Sequence, residues 1–173
     1  MRRSFGWRKV GGLLLVLALD ACRAESPERY RDVVVDYSDR PIELVTGLEV
    51  TQVFLSNHDH LTAVAVMLSN PGGRARGCEV VLRLRAKDSS VDLHERRIDC
   101  ATLPEEDWAE LSFPPLPATL GQRLVISIHS PNGQPGQAAV VSTASVSGIY
   151  PDGKLRVDDA VVPGSLRFMT FHR

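Results

Sequence analysis

From residue 47 to the end of the chain, apolar side chains recur at every second position in short runs. No window of a dozen residues repeats with the period of a helix. The alternation is sharpest in Leu124, Ile126 and Ile128 against Val125, Ser127 and His129, followed by Val80, Leu82 and Leu84 against Val81, Arg83 and Arg85. Successive side chains of a strand point to opposite faces, so each of these runs has one dry face and one wet face. Residues 61–68 are apolar at nearly every position and are expected in the middle of a sheet, covered on both sides. The predicted strands are 48–55, 61–68, 78–86, 91–99, 108–113, 123–129, 138–146 and 165–172, with a further strand open at 32–37. Between them lie turn formers: Asn70, Pro71, Gly72 and Gly73; Pro131, Asn132 and Gly133; Pro151, Asp152 and Gly153. Eight or nine short strands with such breaks predict an all-β, two-sheet antiparallel sandwich of jelly-roll type, with one helical turn expected at 104–107.

The start of the chain follows different rules. Arg2, Arg3, Arg8 and Lys9 precede an apolar run at 10–19. A bilayer-spanning helix needs about twenty apolar residues, so this run is read as a cleaved export signal and not as a permanent anchor. Leu19, Asp20, Ala21 and Cys22 resemble the lipobox of bacterial lipoproteins, in which a branched and a small residue precede the cysteine that is acylated. By that resemblance Cys22 becomes the lipidated first residue. Arg23 after it implies sorting to the outer membrane, and the acidic Asp20 departs from the pattern. Ordinary cleavage after Ala21 or Ala24 is the alternative. Residues 1–21 are thus the signal, the polar stretch 22–40 is expected to be a tether, and 41–173 the sandwich.

Export places cysteines where a disulfide persists. Cys78 opens one predicted strand and Cys100 closes the next. A hairpin centred on Ser89 puts Cys78 opposite Cys100 and Val80 opposite Ile98, a spacing that suits a disulfide. A centre half a residue earlier sets Cys78 against Asp99 instead, and two separate thiols, one of them buried, are the alternative to a disulfide.

The order of features from Gly47 onward resembles a jelly-roll module of bacterial cell-surface proteins and of polysaccharide glycosyltransferases, related in architecture to carbohydrate-binding and galactose-binding-like modules. The features are Gln52 and Phe54, then Asp59 and Leu61, the 80–84 strand, Trp108, Leu111 and Phe113, the 126–131 strand, Tyr150, Pro151 and Gly153, and finally Gly164, Leu166 and Phe168. The resemblance implies a carbohydrate-module sandwich and leaves the ligand open.

The whole chain has a formal charge of -1, and removing a leader with four cations leaves a mildly acidic body. That argues against nucleic acid as a partner, because phosphate binding rests on clustered Lys and Arg. Trp108 and Tyr150 are candidate stacking platforms for a sugar ring, with Trp108 weighed against a plain core position. Arg74 and Arg76, in a glycine-rich loop, are candidate contacts to an acidic glycan. Asn57, His58, Asp59 and His60 make at most a partial metal site, so neither metal nor cofactor is expected. The chain carries no nucleophile elbow, no His-Glu-x-x-His motif and no phosphate-binding glycine loop, so an enzyme is not expected. The functional expectation is a non-catalytic, membrane-tethered envelope lipoprotein that binds or organises cell-surface or exported polysaccharide. The alternative is a protein-interaction or assembly module of an envelope complex.

Overall fold

The computed structural model of the chain describes residues 28–173. Cys22 and the export signal lie outside the described residues. Thirteen strands follow one another: β1 (Tyr30–Val35), β2 (Arg40–Glu43), β3 (Glu49–Leu55), β4 (Leu61–Ser69), β5 (Glu79–Ala86), β6 (Asp92–Asp99), β7 (Asp107–Leu116), β8 (Arg123–His129), β9 (Val140–Ala144), β10 (Leu155–Val157), β11 (Ala160–Val162), β12 (Ser165–Leu166) and β13 (Phe168–His172). They form two antiparallel sheets. The first is ordered β1-β13-β4-β9-β12, with β2 alongside β9 and β7 alongside β4. The second is ordered β11-β10-β3-β8-β5-β6.

Seven of the eight predicted strands are present, within a few residues at their ends, and the eighth is divided. The reason is the alternation itself. Val80, Leu82, Leu84, Leu124, Ile126 and Ile128 all enter the core between the sheets, where they meet Val64, Val66, Leu68 and Phe168 from the other side. At about 25 cal/mol per Å2 of apolar surface removed from water, this burial is the main stabilising contribution. The apolar run of β4 is central as expected, flanked by β13 and β7, and even its outward residues Ala63, Ala65 and Met67 are covered.

Several expectations need correction. The stretch read as tether contains β1, paired to β13, and β2, paired to β9, so the sandwich begins by Tyr30 and not at 41. The strand open at 32–37 is β1, shifted to Tyr30–Val35. Residues 104–107 form no helical turn. The single 3-10 turns lie at Pro71–Gly73 and Cys100–Thr102, the second capped by the Asp99 carboxylate, which accepts from the Ala101 N–H. The expected strand at 165–172 is two strands. Ser165–Leu166 pairs with β9 and Phe168–His172 with β4, and Arg167 bridges the change of partner by donating to the Ser142 carbonyl and accepting from the Met67 N–H.

In the β5–β6 hairpin Val80 faces Ile98 and Glu79 faces Asp99, the first of the two registers considered. Cys78 and Cys100 are joined by a disulfide with a Cα–Cα distance of 5.4 Å, closing a sequence separation of 22. A loop of that length corresponds to about 3 kcal/mol of stabilisation in the chain-entropy description.

Candidate functional site

The outward face of the second sheet carries an open trough. Its geometry follows from register, because directly opposed residues on neighbouring strands share a face. Arg83 on β5 faces Ser127 on β8, Ser127 faces Thr51 on β3, and Thr51 faces Arg156 on β10. The next row is Arg85, Val125 and Val53, and it reaches Lys154, whose carbonyl accepts from the Val53 N–H at 3.0 Å. In the third row Lys87 donates its N–H to the Arg123 carbonyl, and Arg123 faces Leu55. The floor is therefore short and mostly uncharged, made of Thr51, Ser127, Val53 and Val125. Long cationic side chains rise on both sides, with three strand spacings, about 14 Å, between β5 and β10.

Two adjoining recesses occupy the trough. One of about 350 Å3 is lined by Val53, Lys87, Arg123, Asp152, Lys154 and Arg156, and one of about 300 Å3 by Thr51, Arg85, Val125, Asp158 and their neighbours. Arg83 is paired with Glu95 at 2.8 Å and Asp92 at 3.4 Å. Arg156 has Asp159 at 4.0 Å. At the far end the charge reverses. The Asp158 carboxylate accepts from the Glu49 N–H, and His129 is held below its ordinary range, first by burial and then by the Arg83 charge.

The residues singled out in the sequence lie elsewhere and do not converge. On β7, Ala109, Leu111 and Phe113 point into the core, so Trp108 points outward, half-buried on the first sheet opposite Met67. The Arg167 guanidinium stands 5.4 Å from its ring centroid and covers one face. Tyr150 is half-buried. Its hydroxyl accepts from the Leu55 N–H at 3.0 Å, its ring meets Phe168 edge-on at 5.3 Å, and burial pushes its phenol pKa upward. Arg74 and Arg76 are exposed in the loop after β4, where Arg76 Nε donates to the Gly73 carbonyl. Sequence reasoning missed Lys87, Arg123, Lys154 and Arg156. The wet face of the 80–86 run was the available signal, but nothing in the sequence says which strand stands opposite it.

The Asn57–His60 loop packs against β1 and β13. Asp32 on β1 has His58 Nε2 at 3.6 Å and His172 Nε2 at 3.5 Å, and the Asn57 N–H donates to it at 3.3 Å. Asp59 accepts from the Leu120 N–H, and His60 takes a left-handed backbone, φ 58°. His172 is fully buried beneath the Tyr30 ring, with Nδ1 3.1 Å from the Asp59 carbonyl. An Nδ1–H donated there leaves Nε2 a bare lone pair facing a carboxylate, which explains why it has no hydrogen-bond partner.

Burial is the first cause of a lowered His172 pKa, ahead of the opposing pull of Asp32, so the folded protein holds this ring neutral below the pH at which an unfolded histidine charges. Stability from this group is therefore complete above about pH 6.5 and declines as pH falls from there toward the lowered folded value, with a slope of at most about 1.4 kcal/mol per pH unit. His172→Gln is expected to flatten that part of the profile, measured by urea denaturation between pH 7.5 and 5. A slope equal to that of the parent would show that His172 does not contribute.

No protein-family model matches the chain, and no curated protein is similar to it.

Proposed function

We propose that the protein is a non-catalytic envelope lipoprotein, anchored through Cys22 on the outer membrane, whose sandwich binds or organises polysaccharide. The observation that carries this reading is the trough on the second sheet. It is long, open to solvent and floored by short side chains, and its walls are lined with hydrogen-bond donors that suit the hydroxyl and ring oxygens of an extended saccharide. Recognition here rests on hydrogen bonding across the strands, not on a stacked aromatic ring. The order of features from Gly47 onward, similar to that of carbohydrate modules, supports the same reading.

The test is a glycan array with the folded protein and two variants. Val53→Trp fills the trough without removing a charge and is expected to abolish saccharide binding, with an unchanged circular dichroism spectrum. Trp108→Ala, on the opposite sheet, is expected to leave binding intact. An array that captures no saccharide would overturn the proposal. It would favour the assembly-module alternative if an affinity pull-down from membranes returned a defined partner protein.

A further inference from the structure

We infer that the saccharide taken by the trough is acidic, a polymer whose sugar rings carry carboxylates. This inference rests on the proposed polysaccharide-binding role and deepens it. Four of the trough's cations, Arg85, Lys87, Arg123 and Lys154, have no carboxylate within 4.0 Å among the described residues. Their placement is systematic and not scattered. Arg85 and Lys154 stand at the two ends of one cross-strand row with only Val125 and Val53 between them, and Lys87 and Arg123 adjoin each other one row further along.

Of the acidic groups that line the recesses, Asp158 and Asp159 are engaged, Glu49 lies at the other end, and the Asp152 carboxylate stands more than 4.0 Å from each of the four cations. Asp158 accepts from the Glu49 N–H, and Asp159 lies by Arg156. At Asp152 it is the backbone carbonyl, not the carboxylate, that accepts from Arg123. The body as a whole is mildly acidic, so a local concentration of unpaired cations around two adjoining recesses is a departure from its surroundings. In a concave site the field of such a group is focused on what enters it.

Arginine forks match carboxylates two bonds at a time, and lysines act as point charges. Arg85 and Lys87 along β5, Lys154 across the floor from them and Arg123 at the start of β8 spread the charge over several strands, which fits charges repeated along a chain better than a single small anion. The acidic end formed by Glu49 and Asp158 gives the trough a polarity, so an acidic chain would be held over the Lys87, Arg123 and Lys154 end and repelled from the other. A duplex or single-stranded nucleic acid would also need base-stacking or groove contacts, which this floor of Thr51, Ser127, Val53 and Val125 does not provide.

The experiment measures binding of the full chain, as expressed and purified, to oligogalacturonate, to the same oligomers after carboxyl reduction, and to neutral dextran oligomers, at low and at high salt. The expected result is binding to oligogalacturonate that weakens with salt and is lost on carboxyl reduction. Lys154→Glu and Arg85→Glu, each checked for an unchanged melting temperature, are expected to weaken it about tenfold or more per substitution. Arg74→Glu, in the remote loop, serves as the control and is expected to have no effect. Binding to reduced or neutral oligomers that equals binding to the acidic form, indifferent to salt and to Lys154→Glu, would overturn the inference while leaving the polysaccharide reading standing. Absence of binding to every saccharide would overturn both.

Discussion

Phe168→Ala is expected to lower the stability of the folded protein by about 3–5 kcal/mol, the range for removing a fully buried aromatic ring from a core. Phe168 is fully buried on β13 of the first sheet. Its ring lies 6.0 Å from that of Phe54, on β3 of the second sheet, and 5.3 Å from that of Tyr150. The ring therefore fills the space between the two layers at the place where three segments distant in sequence meet. Truncation leaves a cavity that the rigid strands on either side cannot close, so the cost includes lost contacts as well as lost transfer free energy. Against a typical total of about 5–15 kcal/mol, the change is large. Urea denaturation followed by circular dichroism measures it, and a loss below about 1 kcal/mol would show that the sheets repack around the gap.

Gly153→Ala is expected to be as damaging for a different reason. A Cβ built on Gly153 would stand 1.8 Å from the Val53 carbonyl oxygen, 2.7 Å from Tyr150 Cε1 and 2.9 Å from Gln52 Nε2. The first of these is backbone in the middle of β3 and cannot swing aside. The turn must move away from β3, which breaks the bond from the Val53 N–H to the Lys154 carbonyl and the edge pairing of β10. Lys154 and Arg156 follow Gly153 in the chain, so the same shift displaces one wall of the trough. The expected outcome is a loss of several kcal/mol, together with weakened saccharide binding in whatever fraction remains folded. Thermal melting beside a glycan-binding assay checks both, and a variant that melts with the parent would mean that the turn yields without strain.

Gln52, Phe54, Tyr150, Gly153, Leu166 and Phe168 are gathered by the fold into one connected group. Gln52 is fully buried. Its Oε1 accepts from the Leu166 N–H at 2.9 Å and from the Ser165 hydroxyl at 3.1 Å, while its Nε2 donates to the Val53 carbonyl at 2.7 Å. A polar side chain so placed links the inner edge of one sheet to the other, and every one of its groups is satisfied. These residues are framework, and of them only Gly153 also lines the trough.

Much of the framework was legible because it depends on local pattern. The dry faces of β5 and β8 follow from residues two apart, whereas the β5–β6 pairing was legible only as two registers, and the irregularity between Leu84 and Arg85 sets the one that places Cys78 by Cys100. The division of 165–172 was not legible, since both halves are apolar alternations and only the presence of β9 and β4 side by side decides where the partner changes at Arg167. Of the two strands near the start of the chain, β1 was legible only as an open possibility and β2 was obscured, because both carry charged residues. Arg31, Asp32 and Arg40 look like linker composition until β13 and β9 supply their hydrogen-bond partners.

The sequence by itself determined that this chain makes strands, which face of β5 and of β8 is dry, and that Cys78 can meet Cys100, because these depend on periods of two and on neighbours within one hairpin. Only the tertiary structure decided that β8, β3 and β10 follow β5 in that order across one sheet. That order gathers four dispersed cations around one trough, while Trp108, Tyr150, Arg74 and Arg76 are left apart. The physical reason is that side-chain alternation specifies a face, whereas the neighbour across that face is chosen by the packing of the whole sandwich.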